Sequence, residues 1–254
     1  MSTMSTSHWL LLALLVAASP LPAQALGEQK AAEPIRVLLA PARETTLASQ
    51  IAGRLTEVNA TLGSTFRKGD PLVRFDCSEQ QARLKMSNAD LASANETHQA
   101  KRRLQDLQQA GEVEVALAAI EADKARAQVA LYRAQVEQCL VPAPFNGRVA
   151  KVAVKAFQSV SVGQSLLEIV SNETPKVRLN APASWSAWLK PGTPLTVHID
   201  ETGQQYPATV SSINARIDAV SQTLELEAIF TNDTTGLLPG MSGTARFDQE
   251  RPAP

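Results

Sequence analysis

Lys124 stands between Asp123 and Ala125, and an exposed lysine in such a tripeptide can carry a covalently attached acyl arm. Gly240-Met241-Ser242-Gly243 sets a serine among glycines, as a nucleophile on a tight turn would be. Cys77 and Cys139 could form one disulfide or remain two thiols. His98 and His198 are potential bases or ligands, and Met86 and Met241 potential soft ligands. Each must be placed before it can be credited with chemistry. A carrier lysine needs a tight, exposed turn, but Lys124 lies 12 residues or more from either end of an Ala-rich segment with helical composition. A nucleophile elbow needs Gly-x-Ser-x-Gly on a strand-to-helix turn, whereas Ser242 has another spacing and leads into the strand-like Thr-Ala-Arg-Phe. His98 and His198 have no partners nearby in sequence, and three His with two Cys are too few for a zinc site of ordinary spacing. The sequence therefore predicts no catalytic constellation, no cofactor, no metal site and no enzyme.

The elements around these residues are more telling. Of the 254 residues, 44% are apolar, 19% charged and 4% aromatic. The apolar fraction supports a real core. Twenty-four Lys+Arg against 25 Asp+Glu exclude the basic footprint of a nucleic-acid binder. No run of 18 apolar residues exists, so no membrane-spanning helix is expected. Residues 9–18, Trp-Leu-Leu-Leu-Ala-Leu-Leu-Val-Ala-Ala, have the length of a signal-peptide core. Pro20, Pro22 and the small-x-small Ala23-Gln24-Ala25 follow, although no Lys or Arg precedes the core. Residues 1–25 are expected to direct export, leaving 229 soluble residues in an oxidising compartment.

Two segments repeat at an offset of 94. Gly53-Arg54 matches Gly147-Arg148, Val58 matches Val152, Gly69 matches Gly163, and Leu72 matches Leu166. Apolar residues coincide as well: Leu55, Phe66, Val73 and Phe75 with Val149, Val160, Leu167 and Ile169. Each copy reads as short strands joined by tight turns, with Gly63, Gly69 and Gly163 where positive φ is needed. Phe157 occupies the place of Gly63, which predicts a different turn in the second copy.

Between the copies lies a segment of another kind. Pro71 and Pro142 bracket 70 proline-free residues, and Gly111 is the one glycine between Gly69 and Gly147. Fourteen alanines fall between Ser78 and Gln138. This composition predicts two helices of about 30 residues with a turn near Ala110-Gly111, an antiparallel coiled-coil hairpin roughly 45 Å long. Leu84 and Leu91 mark the seam of the first helix; Val113, Leu117, Ile120, Ala127, Leu131 and Ala134 are expected to mark that of the second. Val115, Ala122, Val129 and Val136 form a second series almost opposite. That series reads either as a face for a second partner or as the incidental apolarity of an Ala-rich helix.

After Val170 the pattern turns strand-like. Leu195, Val197 and Ile199 alternate with polar residues, as do Leu224, Leu226, Ala228 and Phe230; Val177/Leu179, Ala245/Phe247 and Ile35/Val37/Leu39 are shorter cases. These predict a small antiparallel barrel. Ala183–Leu189, with Trp185 and Trp188, predicts a short capping helix.

Three ordered matches resemble the periplasmic adaptor family, also called membrane fusion or HlyD-like proteins. They are Gly53-Arg-Leu through Gly63-Ser-Thr-Phe-Arg-Lys-Gly69-Asp-Pro-Leu-Val-Arg-Phe-Asp76; Val141-Pro-Ala-Pro-Phe-Asn-Gly147 through Val162-Gly163-Gln-Ser-Leu; and Ile217-Asp-Ala-Val-Ser-Gln-Thr-Leu with Leu238-Pro-Gly-Met-Ser-Gly243. The resemblance implies a mixed α+β, mainly β chain. A signal peptide (1–25) and an N-terminal strand joining the β-barrel (26–44) would precede a split lipoyl-like domain (45–76 and 141–171) interrupted by an α-hairpin (77–140). A β-barrel domain (172–249) and a tail (250–254) would follow. It further implies a periplasmic subunit, six copies to a ring, bridging an inner-membrane transporter and a TolC-type outer-membrane channel in efflux or secretion. A free-standing periplasmic binding or assembly module is the alternative, and a lipoyl carrier on Lys124 a third reading. The further membrane-proximal domain of many adaptors is expected to be absent or vestigial. Cys77 and Cys139 flank the half-motifs that must meet, which predicts a disulfide at the hairpin base, with two free buried thiols as the alternative. Arg103, Leu104, Leu107 and Gly111 are expected at a docking tip: Arg103 and Leu107 fit the spacing expected of channel-engaging relatives, while Glu114 replaces a serine. In the alternative, Leu104 and Leu107 only close the seam.

Overall fold

The computed structural model describes residues 34–232 and 234–247. The expected signal peptide, residues 26–33 and the tail lie outside them. Fourteen strands and two long helices are present among the described residues, with one five-residue 3-10 helix, Ala183–Ala187.

Two four-stranded sheets are built from the repeated segments. The first copy supplies β3 (Gly53–Val58), β4 (Thr65–Phe66) and β5 (Pro71–Phe75); the second supplies β7 (Gly147–Val152), β8 (Ser159–Val160) and β9 (Ser165–Ser171). With β2 (Glu44–Ala48) and β6 (Leu140–Pro142), the sheets run β2-β9-β7-β4 and β6-β5-β3-β8. The two orders are the same sequence of equivalents: β4 joins the sheet of β7 and β9 and β8 that of β3 and β5, so the copies exchange β4 and β8 and the body has a pseudo-twofold. Hydrogen bonds repeat at the same offset of 94. Gly63 N–H donates to Val149 O and Phe157 N–H to Leu55 O, both at 2.9 Å; Gly69 N–H donates to Ala143 O and Gly163 N–H to Ser49 O, both at 2.8 Å. Glu57 pairs with Arg74 at 3.3 Å, and at the equivalent positions Lys151 pairs with Glu168 at 2.9 Å with the charges reversed. Leu55, Val73, Leu166, Leu167 and Ile169 are buried between the sheets.

The glycines divide into two kinds. Gly63, Gly69 and Gly163 have φ of +77°, +90° and +82°, as the sequence predicted. Gly53 and Gly147 open strands instead of turning. A Cβ on Gly147 would collide with the Val170 carbonyl and the Phe66 ring, so close packing fixes that glycine. Phe157 overturns the expectation of a different turn: its φ is +67°, and it makes the hydrogen bond equivalent to that of Gly63. The backbone of the repeat dictates the turn, and the Arg54 guanidinium lies 5.5 Å from the centre of the Phe157 ring.

β1 (Ile35–Ala40), β10 (Lys176–Pro182), β13 (Thr223–Phe230), β12 (Gln204–Asp218), β11 (Pro194–Ile199) and β14 (Ser242–Phe247) close in that order into a barrel. Every pair is antiparallel, and β14 returns to β1. The alternating residues named from the sequence fill it: Val37, Leu39, Val177, Leu179, Val197, Ile199, Leu226, Ala228 and Ala245 are all buried. Trp185 on the 3-10 helix packs its ring at 5.2 Å, edge-on, against Phe247. Gly243 belongs to this packing, since a Cβ there would strike the His198 backbone of β11. Ser242 opens a strand, not a strand-to-helix turn, and its N–H and hydroxyl both donate to the Glu201 carboxylate, at 2.9 and 3.2 Å.

Candidate functional site

Chain direction sets the hairpin on the two-sheet body. β5 delivers the chain to α1 (Ser78–Asp106) and α2 (Glu112–Glu137) returns it to β6, which pairs with β5. Cys77 and Cys139 are joined there, with Cα atoms 6.1 Å apart, and the Phe75 N–H donates to the Cys139 carbonyl at 2.9 Å. Asp76 accepts from the Ser78 N–H at 3.2 Å and its hydroxyl at 2.9 Å, covering donors at the start of α1. These bonds, the backbone one first, hold the Asp76 carboxyl below its ordinary range.

The seam of the hairpin is not the one the sequence suggested. Ala122 and Val129 are the buried residues of α2 and Ser87 that of α1. Val113, Leu117, Ile120 and Leu131, expected inside, are 71%, 61%, 62% and 52% exposed. The reading that gave Ala122 and Val129 to an outside partner is thereby overturned: that series packs on α1, and the larger residues form the outward stripe. Small seam residues let two helices approach closely. The rotation of α2 is fixed at its base, where Cys139 faces Cys77. Ala118, Ala125 and Tyr132 precede Cys139 at intervals of seven, on the same side of the helix.

At the far end, α1 stops at Asp106 and the turn runs through Leu107–Gly111. Gln108, not Gly111, takes the left-handed conformation, with φ of +58°. The Gln109 N–H closes back on the Leu104 carbonyl at 2.8 Å. Gly111 is extended, and its carbonyl accepts from the Glu114 N–H at 3.1 Å at the start of α2. Leu107 is 66% exposed and Leu104 37%; Arg103 is exposed one turn before. Glu114 is not a free acceptor here, since Lys101 reaches across the hairpin to it at 2.8 Å. Lys124 is exposed in the middle of α2 beside Glu121, at 3.1 Å, away from any turn.

Among the described residues no cluster of His, Cys, Asp and Glu could hold a metal ion, and no helix is long and apolar enough to cross a membrane. His198 is half-buried on β11, its Nδ1 enclosed without a hydrogen-bond partner.

A two-sheet body interrupted by a helical hairpin and followed by a closed six-stranded barrel is the architecture of membrane fusion proteins. Residues 177–251 match the family model of the CusB-like β-barrel domain. The chain is 28% identical over 267 aligned residues to multidrug resistance protein MdtA of Cronobacter turicensis, covering 92% of this chain and 63% of that one. It spans less than two thirds of the curated relatives it matches, 56% and 63% of two of them. Among solved structures, a MacA–MexA chimera carrying the Pseudomonas aeruginosa MexA α-hairpin superposes with a TM-score of 0.74 at 20% identity, covering 84% of this chain and 80% of the chimera. The membrane fusion protein Spr0693 of Streptococcus pneumoniae superposes with a TM-score of 0.72 at 19% identity, covering 86% and 99%. These likenesses show the fold. The barrel thus matches a CusB-like domain, and the chain is similar in sequence to multidrug resistance protein MdtA and in fold to membrane fusion proteins.

Proposed function

We propose that this chain is an exported periplasmic adaptor subunit that links an inner-membrane transporter to a TolC-type outer-membrane channel in an efflux assembly. The observation that carries the proposal is the outward stripe of α2. Val113, Leu117, Ile120 and Leu131 repeat at helical spacing on a helix whose other side is already packed. Such a stripe calls for a partner outside the chain. In the proposed assembly the stripe meets a second copy, and cyclic closure into a ring, six copies by family resemblance, satisfies every such contact. The tip of Arg103, Leu104, Leu107 and Gly111 engages the channel. Leu107 offers an exposed apolar knob, and Arg103 a guanidinium that can donate to carbonyl or carboxylate oxygens. The two-sheet body would be the split lipoyl-like domain and the hairpin the reach between membranes, about 43 Å for the 29 residues of α1.

Combined Arg103→Asp and Leu107→Ser substitution tests the tip in cells where the wild-type gene supports export. Lost export at normal abundance and folding supports docking. Unchanged export rejects the tip assignment.

A further inference from the structure

We infer that Arg43 is a salt-sensitive latch between the two-sheet body and the barrel. The chain passes between these bodies twice, through residues 41–43 after β1 and through 172–175 before β10. Both crossings meet at Arg43. Its backbone N–H donates to Ser171 Oγ at 3.2 Å, and its carbonyl accepts from the Ser171 N–H at 2.8 Å. Its guanidinium pairs with the Glu173 carboxylate in the second crossing and lies 5.0 Å from the centre of the Phe145 ring. Phe145 is buried in the core of the two sheets. Beyond Glu173, the Thr174 hydroxyl lies 3.5 Å from that of Thr234, in the loop that precedes β14 of the barrel. The Arg43 contacts with Phe145 and Glu173 therefore tie both crossings to the two-sheet body, and the residue after Glu173, Thr174, carries the connection to Thr234 of the barrel.

Arginine is suited to this position because its plane can stack on a ring while its edge holds a carboxylate; lysine offers only a point charge. Arg43 and Glu173 are each 52% exposed, so the ion pair works in a high dielectric and salt screens it. A latch of this strength biases the relative orientation of the bodies without freezing it, and a partner that contacts either body can release it.

Spin labels on Lys155→Cys in the two-sheet body and Gln205→Cys in the barrel, with the native disulfide intact, read the distance between the bodies. The latch predicts a narrow distance distribution for the otherwise wild-type chain at low salt. That narrow peak is lost in Arg43→Ala, and in the wild-type background at about 1 M salt, where the screening length falls to about 3 Å. Glu173→Gln, an exposed change that leaves the Arg43–Phe145 stack in place, guards against an Arg43→Ala chain that does not fold, and it too loses the peak. A distribution that is broad at low salt, or that stays narrow in Glu173→Gln and at high salt, overturns the inference.

Discussion

Cys77 and Cys139, with Cα atoms 6.1 Å apart, are the base rungs of two seven-residue series that form the hairpin seam. On α1 the series continues through Leu84, Leu91, His98 and Gln105, each at least partly buried. On α2 it runs back through Tyr132, Ala125 and Ala118. The bond thus lies in phase with the packing it anchors, and it closes a loop with a sequence separation of 62.

That phase gives the first prediction. A loop of this length constrains the unfolded chain by about 4 kcal/mol in the loop-entropy treatment. Chemical denaturation of the oxidised chain and of the Cys77→Ala, Cys139→Ala double variant should differ in the same direction and by a comparable amount. Thiol titration of the unfolded, unreduced chain should find no free sulfhydryl.

The exchanged faces of α2 give the second. Val129→Asp buries a charge against α1 and should lower stability by about 2 kcal/mol or more. Ile120→Ser changes an exposed site and should stay within about 0.5 kcal/mol. Thermal melts of the isolated chain check both; the reverse order would return the large residues to the seam.

A third prediction concerns the turn at Phe157. With φ of +67° the residue is held where a Cβ is unfavourable, and its ring lies beside Arg54. Phe157→Ala keeps the strain and loses the ring, whereas Phe157→Gly loses the ring and relieves the strain. Denaturant titration should find the glycine variant more stable than the alanine variant by about 1 kcal/mol.

Acid sensitivity provides the fourth. The hydrogen bond from Lys176 to Glu227, at 3.0 Å, and the charges of Lys176 and Arg178 hold the Glu227 carboxyl below its ordinary value of 4.5. A depressed folded pKa means that this stabilisation is present above about 4.5 and is lost as pH falls through the lower folded value. Glu227→Gln should therefore flatten the acid limb of stability against pH below 4.5, with little change in its slope near neutrality. An unchanged acid limb would show that Glu227 does not contribute to it.

Much of this fold is legible in the sequence because it is written in backbone requirements. The offset of 94 recurs in strand bounds, in turn hydrogen bonds and in positions of positive φ. It extends to Ser49 and Ala143, which lie outside the segments that showed it. The alternating strands were equally plain, since a closed barrel buries every second residue. The helical seam was misread because the largest apolar residues of α2 were assumed to face inward. Close packing of Ala and Ser selects the other face, and the signal that could have found it is the seven-residue spacing back from Cys139 and forward from Cys77. The turn at Phe157 was misread because residue type was weighed above the repeat. The Arg43–Glu173 pair left no local pattern, since it joins residues that meet only when the two crossings lie side by side.

The adaptor reading stands or falls on what the hairpin touches in an intact envelope. A photoreactive residue placed at Leu107 and, separately, at Ile120 reads the tip and the outward stripe without altering the seam. The account predicts cross-links from Leu107 to an outer-membrane channel and from Ile120 to a second copy of this chain. Cross-links from neither position, in cells where the tagged chain still supports export, would contradict it.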